Sequence, residues 1–220
     1  MITVHHLNNS RSQRVLWMLE ELEVPYQIKL YQRESTMLAP DALKKVHPLG
    51  KSPVITDENR VIAESGAILE YLAERYDAEN RLKLHDEEAR LQSRYWLHYA
   101  EGSVMPLLVM KLIFGRMGKP PVPWLLRPIG NAFGQGVQKA WLDKQLATHR
   151  DFIEHHLTTH GWFAGPQFSI ADVQMSFPLQ AMSARGGAAD SPAIQAWLDK
   201  IQNRAAWHRA LQKGGEIRLS

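Results

Sequence analysis

The first third of the chain alternates short strand-like segments with an amphipathic helix. Residues 2–7 and 26–31 are predicted to form short strands. Between them runs one apolar stripe with the i, i+3, i+4, i+7 spacing of a helix face, formed by Val15, Met18, Leu19 and Leu22. A strand–helix–strand order predicts a parallel pair of strands, because a helical crossover is the usual way to join them.

The residues that follow are predicted to complete a small mixed sheet. The expected elements are a short helix, the two strands of a hairpin and a longer helix, over 40–46, 54–56, 61–62 and 64–76. The resulting order, βαβαββα, is that of a thioredoxin-like sheet. We expect this first domain to occupy residues 1–78.

The second part of the chain is predicted to be entirely helical. The segment 77–86 is polar and has no apolar periodicity, so we place the domain boundary there and expect a second domain over 86–220. Its first helix is expected over 87–114, and a break rich in Pro and Gly over 115–136. A later helix carries an apolar stripe formed by Leu142, Leu146, Ile153 and Leu157. The fold class is therefore α/β followed by all-α.

Two helix starts in the second part have capping signals. Ser169 is expected to be an N-cap with Asp172 at the third helical position, a variant of the capping box. Ser191 and Pro192 have the N-cap and first-turn arrangement of another helix. We assign these residues a structural role.

Composition limits the chemistry that the chain can perform. The protein has no cysteine, which excludes disulfides, thiolate nucleophiles and Cys-ligated zinc, so any sulfur chemistry must come from a ligand. The formal net charge is +3, and the basic residues do not form the continuous arm of a nucleic-acid-binding protein. No signal peptide is predicted, and the longest apolar stretch, 104–114, is too short to span a bilayer. We expect a cytoplasmic protein that binds neither nucleic acid nor membrane.

Two short motifs suggest a binding site for a peptide-like ligand. Gly50-Lys51-Ser52-Pro53 predicts a turn before a strand, and a cis Ser52–Pro53 bond would leave the backbone of Ser52 free to pair with a ligand. Glu64-Ser65 then supplies a carboxylate, a hydroxyl and the unpaired N–H groups of a helix start. These groups suit the ammonium and carboxylate of a γ-glutamyl headgroup. Either motif alone is also an ordinary turn or cap.

In this order, with eleven residues between Pro53 and Glu64, the motifs resemble the glutathione-binding half of cytosolic glutathione S-transferases. The resemblance extends over essentially all 220 residues and points to a bacterial, serine-type branch. It implies an enzyme that activates the glutathione thiolate for attack on an apolar electrophile. It also implies glutathione as co-substrate, no tightly bound cofactor, a homodimer and a role in detoxification.

The resemblance places thiol activation at the first strand-to-helix junction, residues 8–12. Ser10 is our candidate donor to sulfur, because it stands four residues before Arg14, the spacing of the catalytic serine in serine-type branches. Asn9 is the rival donor, and both residues also fit a simple helix cap. A hydrogen bond to a thiolate and the N-terminal end of a helix both favour the charged form.

The remaining glutathione contacts are expected from the two motifs, with Lys51 reaching the glycine carboxylate and Ser52, Pro53, Glu64 and Ser65 holding the rest. The basic pair that some family members carry before the second helix is missing from the segment 36–39, and Arg33 or His47 is expected to compensate. Met37, within that segment, lies outside the residues that the structure describes.

The electrophile pocket is expected between the sheet and the long helix, with Tyr99, Ser103 and Trp124 as candidates that fit core packing equally well. The helical histidines have no accompanying carboxylate motif, so no metal site is predicted. Three alternative functions stay open: a glutathione-dependent peroxidase, a glutathione-dependent isomerase, and a non-catalytic module that binds glutathione or a protein.

Overall fold

The computed structural model describes residues 1–34, 36, 38–82 and 84–217. Its first part contains one four-stranded sheet in the order β2-β1-β3-β4. The strands are β1 (Ile2–Leu7), β2 (Tyr26–Tyr31), β3 (Val54–Asp57) and β4 (Arg60–Ala63). β1 is parallel to β2, with Ile2 opposite Tyr26, and antiparallel to β3. The predicted mixed sheet is confirmed.

The helix α1 (Ser12–Glu21) connects β1 to β2, and the 3-10 turn Asp41–Lys45 lies between β2 and β3. The helix α2 (Ser65–Tyr76) follows β4. The apolar stripe predicted for α1 is buried, because Val15, Met18 and Leu19 all lie in the core. The sheet is therefore covered by helices that begin where β1 and β4 end, and both helix starts lie next to β3.

The second part is helical throughout the residues that the structure describes. Its helices are α3 (Glu87–Tyr99), α4 (Met105–Phe114), α5 (Arg127–Val137), α6 (Asp143–His160), α7 (Ile170–Arg185), α8 (Pro192–Gln202) and α9 (Ala205–Gly214). A π-helical segment, Ala100–Val104, joins α3 to α4, so the long helix predicted over 87–114 is continuous. A second π-helical segment, Gln138–Leu142, joins α5 to α6. The predicted fold class is confirmed.

The break predicted over 115–136 is wrong in its second half, which contains the 3-10 turn Trp124–Leu126 and α5. Pro128 lies in the first turn of α5, where a missing N–H is tolerated. The glycines have a packing reason, since a Cβ on Gly130 would lie 2.2 Å from Met117 O and one on Gly134 would lie 2.3 Å from Phe114 O. They allow α5 to approach the end of α4 closely.

The long helix would also meet a length and composition criterion for crossing a membrane, but 39% of its most apolar window is buried inside the fold. Trp96, Val104 and Leu108 lie in the core, and α3 packs against α7. In this structure the helix is therefore a core element of the helical part.

The predicted capping box at the start of α7 is present and fully buried. The backbone N–H of Ser169 donates to Asp172 Oδ2 at 2.9 Å, and its hydroxyl donates to the same oxygen at 3.0 Å. The other oxygen, Oδ1, accepts from Trp197 Nε1 at 3.0 Å and from Phe163 N at 3.2 Å. Burial raises the pKa of Asp172 to about 6, while the four donors oppose that shift.

The two parts of the chain share one apolar core, and α1 lies between them. Trp17 of α1 packs edge-on against Trp207 of α9. Arg204 forms a two-point ion pair with Glu21 at 2.6 and 2.8 Å. The predicted boundary between residues 78 and 86 stays a prediction, and Lys83 and 218–220 lie outside the described residues.

Candidate functional site

The loop between β1 and α1 places Ser10 at the N-terminal end of α1. Asn9 has a left-handed backbone, with φ of 50°, which asparagine adopts more readily than most residues. Arg33, next to β2, donates from its side chain to the carbonyl oxygens of Asn8 and Asn9, both at 3.2 Å. The loop is thereby fixed with Ser10 facing the positive end of the helix dipole.

A chain of hydrogen bonds runs inward from Ser10. Ser10 Oγ lies 2.7 Å from Ser12 Oγ, which lies 2.8 Å from His6 Nδ1. His6 Nε2 lies 2.9 Å from the carbonyl oxygen of Gly214 at the end of α9. Ser10 is the most exposed of the three residues at 5%, compared with 0% for Ser12 and 2% for His6. Ser10 is therefore the member that a ligand can reach most directly.

The direction of these hydrogen bonds follows from the acceptor at the inner end. A carbonyl oxygen only accepts, so His6 Nε2 carries a proton, and burial lowers the pKa of His6 so that the ring is neutral near pH 7. Nδ1 of this neutral ring has no proton and can only accept, so the Ser12 hydroxyl donates to it at 2.8 Å. Ser12 Oγ in turn accepts from Ser10. The proton of Ser10 therefore points inward, and of its two lone pairs one accepts from Ser12 N at 3.2 Å while the other remains for a ligand.

The predicted turn around Ser52 lies beside Ser10. The Ser52–Pro53 bond is cis, as the sequence analysis anticipated, and Ser52 precedes β3, which begins at Val54. Ser52 Oγ donates to the carbonyl oxygen of His5 at 3.0 Å and lies 3.5 Å from Ser10 Oγ. Lys51 is exposed. The structure thus brings Ser10 and the turn together.

Glu64 and Ser65 lie at the start of α2, after β4. Glu64 has a φ of 69° and a ψ of 122°, a conformation that costs free energy for a residue with a Cβ. Its side chain is exposed, whereas Ser65 is buried. A strained residue at a helix N-terminus suits anion binding, because the unpaired N–H groups and the helix dipole point at the ligand.

Two arginines of α1 and its cap make the surroundings of Ser10 positive. Arg14 is fully buried and donates to Glu101 Oε1 at 2.5 Å and to Gln174 O at 2.7 Å. Arg11 lies 3.1 Å from the same Glu101 oxygen. Burial lowers the pKa of Arg14 to about 10, and the guanidinium still carries its charge at neutral pH. Both guanidiniums lie within 6 Å of the Phe177 ring centre.

The three candidates for the electrophile pocket are dispersed. Tyr99 is buried and its hydroxyl lies 2.5 Å from His149 Nδ1 on α6. Ser103 is half-buried in the π-helical segment, and Trp124 is 72% exposed beside the surface groove of Lys119. Their assignment to the electrophile pocket stays a prediction. Phe177 is an apolar residue beside the guanidiniums of Arg11 and Arg14 that the sequence analysis did not find.

Four residues of this site were missed at the level of sequence: His6, Ser12, Arg14 as a charged group, and Glu101. Their signal is weak, since a histidine within a strand and a glutamate within an apolar helix have many possible roles. Among the described residues, no three His, Asp or Glu side chains come close enough to hold a metal ion.

The chain matches two family models, described as glutathione S-transferase, N-terminal domain, over residues 10–75, and glutathione S-transferase, C-terminal domain, over residues 109–205. It is 37% identical to glutathione S-transferase 3 of Schizosaccharomyces pombe, covering 97% of this chain and 88% of that protein. It is 32% identical to glutathione S-transferase 1 of Saccharomyces cerevisiae, covering 97% and 95%.

Solved structures agree with these matches. A glutathione S-transferase from Actinobacillus pleuropneumoniae superimposes with a TM-score of 0.80 at 34% identity, covering 100% of this chain and 95% of that one. A sphingomonad glutathione S-transferase solved with glutathione has the same fold, with a TM-score of 0.74 at 20% identity, covering 97% and 98%. The chain belongs to the glutathione S-transferase family. It is a glutathione transferase, and glutathione is its co-substrate.

Proposed function

We propose that this glutathione transferase activates glutathione at Ser10 and transfers the thiolate to an apolar electrophile. The single observation that supports this is the hydrogen-bond chain from Ser10 through Ser12 to His6, which begins at the N-terminus of α1. A thiol placed at Ser10 meets a hydroxyl and a helix dipole, and Arg11 and Arg14, both paired with Glu101, add a net positive charge at the start of α1. All of these favour the anionic sulfur.

The chain also gives the thiol proton a destination. The S–H bond of glutathione breaks and its proton passes to Ser10 Oγ. The Ser10 proton passes to Ser12 Oγ, and the Ser12 proton passes to His6 Nδ1. The electron pair stays on sulfur and His6 becomes an imidazolium. Each hydroxyl has then reversed its direction, so that Ser10 donates to the thiolate it has just created.

The rest of glutathione is held by the two predicted motifs. Ser52 supplies backbone groups beside the cis bond to Pro53, and Lys51 reaches the glycine carboxylate. Glu64 and Ser65 hold the γ-glutamyl ammonium and carboxylate at the start of α2. The exposed side chain of Glu64 and its strained backbone support this arrangement.

We further propose a homodimer in the cytoplasm that acts in detoxification, with domains over 1–78 and 86–220. The electrophile binds where Phe177 approaches Arg11, and Tyr99, Ser103 and Trp124 stay candidates for its outer wall. Product analysis with a chloroaromatic acceptor beside cumene hydroperoxide tests this choice. Reduction of the peroxide without formation of the thioether would favour the peroxidase.

The central test is Ser10→Ala. Loss of a hydrogen bond to a charged group costs about 1.5–3 kcal/mol, so the thiol pKa of bound glutathione should rise by about one to two units. The thiolate absorbance of the complex, followed against pH, measures this directly. Conjugation near neutral pH should fall about 10- to 100-fold with it.

Asn9→Ala and Ser183→Ala are the matched variants. Ser183 lies on α7, half-buried and hydrogen-bonded to Gln195, and its replacement should leave the thiol pKa unchanged. If Asn9→Ala raises the thiol pKa and Ser10→Ala does not, Asn9 is the donor and our assignment is wrong. Unchanged pKa and activity in both variants would contradict activation at this junction.

A further inference from the structure

The segment between α4 and α6 exposes large apolar side chains that nothing in the described structure covers. Trp124, Leu125 and Leu126 form a 3-10 turn, and Ile129 and Phe133 follow one helical turn apart on α5. Their exposed fractions run from 52% for Leu126 to 72% for Trp124. We call these five residues the α5 face.

The packing of α5 is the reverse of that expected for a helix on the surface of a globular protein. Such a helix usually turns its large apolar residues inward. Here the small residues Gly130 and Gly134 face the end of α4 at backbone contact, and Gly134 is the only buried residue of α5. The apolar side chains are consequently directed outward, which suggests that they have a partner outside the chain.

The charged residues of the segment 102–142, which includes the α5 face, are all basic. Between Glu101 and Asp143 the sequence contains no acidic residue, and its charged residues are Lys111, Arg116, Lys119, Arg127 and Lys139. Lys111 is paired with Asp143 at 2.7 Å. Among the described residues, none of the other four forms an ion pair with a carboxylate. The positive charge of this segment exceeds the formal +3 of the whole chain, so the remainder is slightly acidic.

An apolar face with tryptophan and a purely basic rim fits one kind of surface. A lipid interface accepts Trp, Leu and Phe at the depth of the headgroups, and anionic headgroups attract Lys and Arg. We propose that the α5 face binds the surface of a bilayer that contains anionic phospholipids. The attachment is interfacial and reversible, since α5 is short and the basic residues Lys119 and Arg127 line the same surface groove as Trp124. This differs from our expectation from sequence that the protein has no membrane partner.

A second copy of the chain is the main competing occupant. A two-fold contact through the α5 face would bring Lys119 and Arg127, which lie beside Trp124, towards the basic residues of the other copy, and like charges would oppose it. An anionic surface meets no such repulsion. The charge pattern therefore favours the lipid.

The test is co-sedimentation of the full chain with two kinds of vesicle, phosphatidylcholine alone and phosphatidylcholine mixed with phosphatidylglycerol. We expect binding to the mixed vesicles to be at least about tenfold stronger, and to weaken as salt is added. Leu125→Ser/Ile129→Ser should reduce binding by about tenfold or more. Arg116→Gln/Lys119→Gln should remove most of the preference for the anionic lipid.

Two control variants carry the same chemical changes elsewhere on the surface. Leu30→Ser/Leu38→Ser removes exposed apolar side chains and Lys29→Gln/Lys45→Gln removes exposed basic ones. Both should bind vesicles like the wild type, and thermal unfolding checks that every variant is folded. Equal binding to both kinds of vesicle, or no binding to either, would overturn the proposal. A second result would also overturn the proposal: the wild type does not bind vesicles, and light scattering shows that Leu125→Ser/Ile129→Ser is a smaller oligomer than the wild type. The α5 face would then be a contact between subunits.

Discussion

Two clusters of buried polar groups, one in each part of the molecule, are built on opposite principles. Around Asp172, both carboxylate oxygens are occupied by donors of the helical part, and the cluster is closed. The chain from His6 to Ser10 is anchored at one end by Gly214 O and is open at the other. A closed network stabilises a fold, whereas an open one keeps an acceptor for something that is not part of the protein.

The two clusters also respond to acid with opposite signs. Burial raises the pKa of Asp172 to about 6, above its usual 3.8, so its stabilising contribution is complete below 3.8 and is lost as pH rises through 6. Burial lowers the pKa of His6 below its usual 6.5, so the unfolded state takes up the proton first and stability falls as pH drops below 6.5. The contrast follows from the sign of the charge, because burial disfavours the charged form of each group, an anion for Asp172 and a cation for His6.

The largest effect is expected from breaking the closed cluster. Asp172→Ala removes the acceptor of four hydrogen bonds and leaves Trp197 Nε1 and the N–H of Phe163 buried without a partner. We expect the free energy of unfolding to fall by about 3–5 kcal/mol, measured by urea denaturation. Asp199→Ala, at an exposed position of α8, should change it by less than about 0.5 kcal/mol. A loss below about 1 kcal/mol for Asp172→Ala would show that the cluster is not structural.

The same contrast explains how much could be predicted from the sequence. The capping box was predictable because Ser169 and Asp172 lie within one helical turn. The strands and α1 were predictable from their periodicity, since each buries one face. By contrast, the open chain joins β1, the start of α1 and a carbonyl 208 residues away, at Gly214, and no local pattern signals that convergence.

The prediction for the segment 115–136 was wrong in its second half for a different reason. Glycine is a signal for a loop, and here Gly130 and Gly134 lie in a helix because they allow it to reach the backbone of α4. Tertiary packing therefore places these two glycines in a helix, although glycine in a local sequence pattern predicts a loop. Trp124 shows the same limit, because a tryptophan in the sequence does not indicate whether its side chain is buried, and here it is 72% exposed.

An intermediate effect is expected from cutting the open chain behind Ser10. Ser12→Ala leaves Ser10 in place and removes its link to His6. The proton that leaves the thiol must then go to solvent, and Ser10 loses the neighbour that fixes its hydroxyl. We expect conjugation to fall about tenfold, less than for Ser10→Ala, with little change in the affinity for glutathione. An effect as large as that of Ser10→Ala would instead indicate that Ser12 contacts the sulfur itself.

A smaller effect separates His6 as a proton acceptor from His6 as a hydrogen-bond partner. His6→Asn retains an oxygen that can accept from Ser12 and cannot take up a proton. In the wild type, glutathione binding near pH 7 should release less than one proton per thiolate formed, because the new thiolate charge favours the His6 imidazolium, which the free protein disfavours, and His6 then keeps part of the proton. In His6→Asn the release should approach one proton per thiolate formed. Calorimetry in buffers of different ionisation enthalpy measures this number, and equal release in both proteins would contradict the relay.

The smallest effect is on the dependence of stability on pH, and it tests the opposite signs of the two clusters. Between pH 7 and 5 the wild type should lose stability through its buried histidines, since His5, His149 and His156 also have pKa values lowered by burial. His6→Asn should flatten that loss without abolishing it, because the other three still titrate. Asp172→Asn should make the loss of stability steeper. In the wild type, the folded protein takes up a proton at Asp172 as pH falls through about 6, and this uptake opposes the loss. Urea denaturation at several pH values measures both slopes, and a steeper loss in His6→Asn would mean that His6 is already charged in the folded protein.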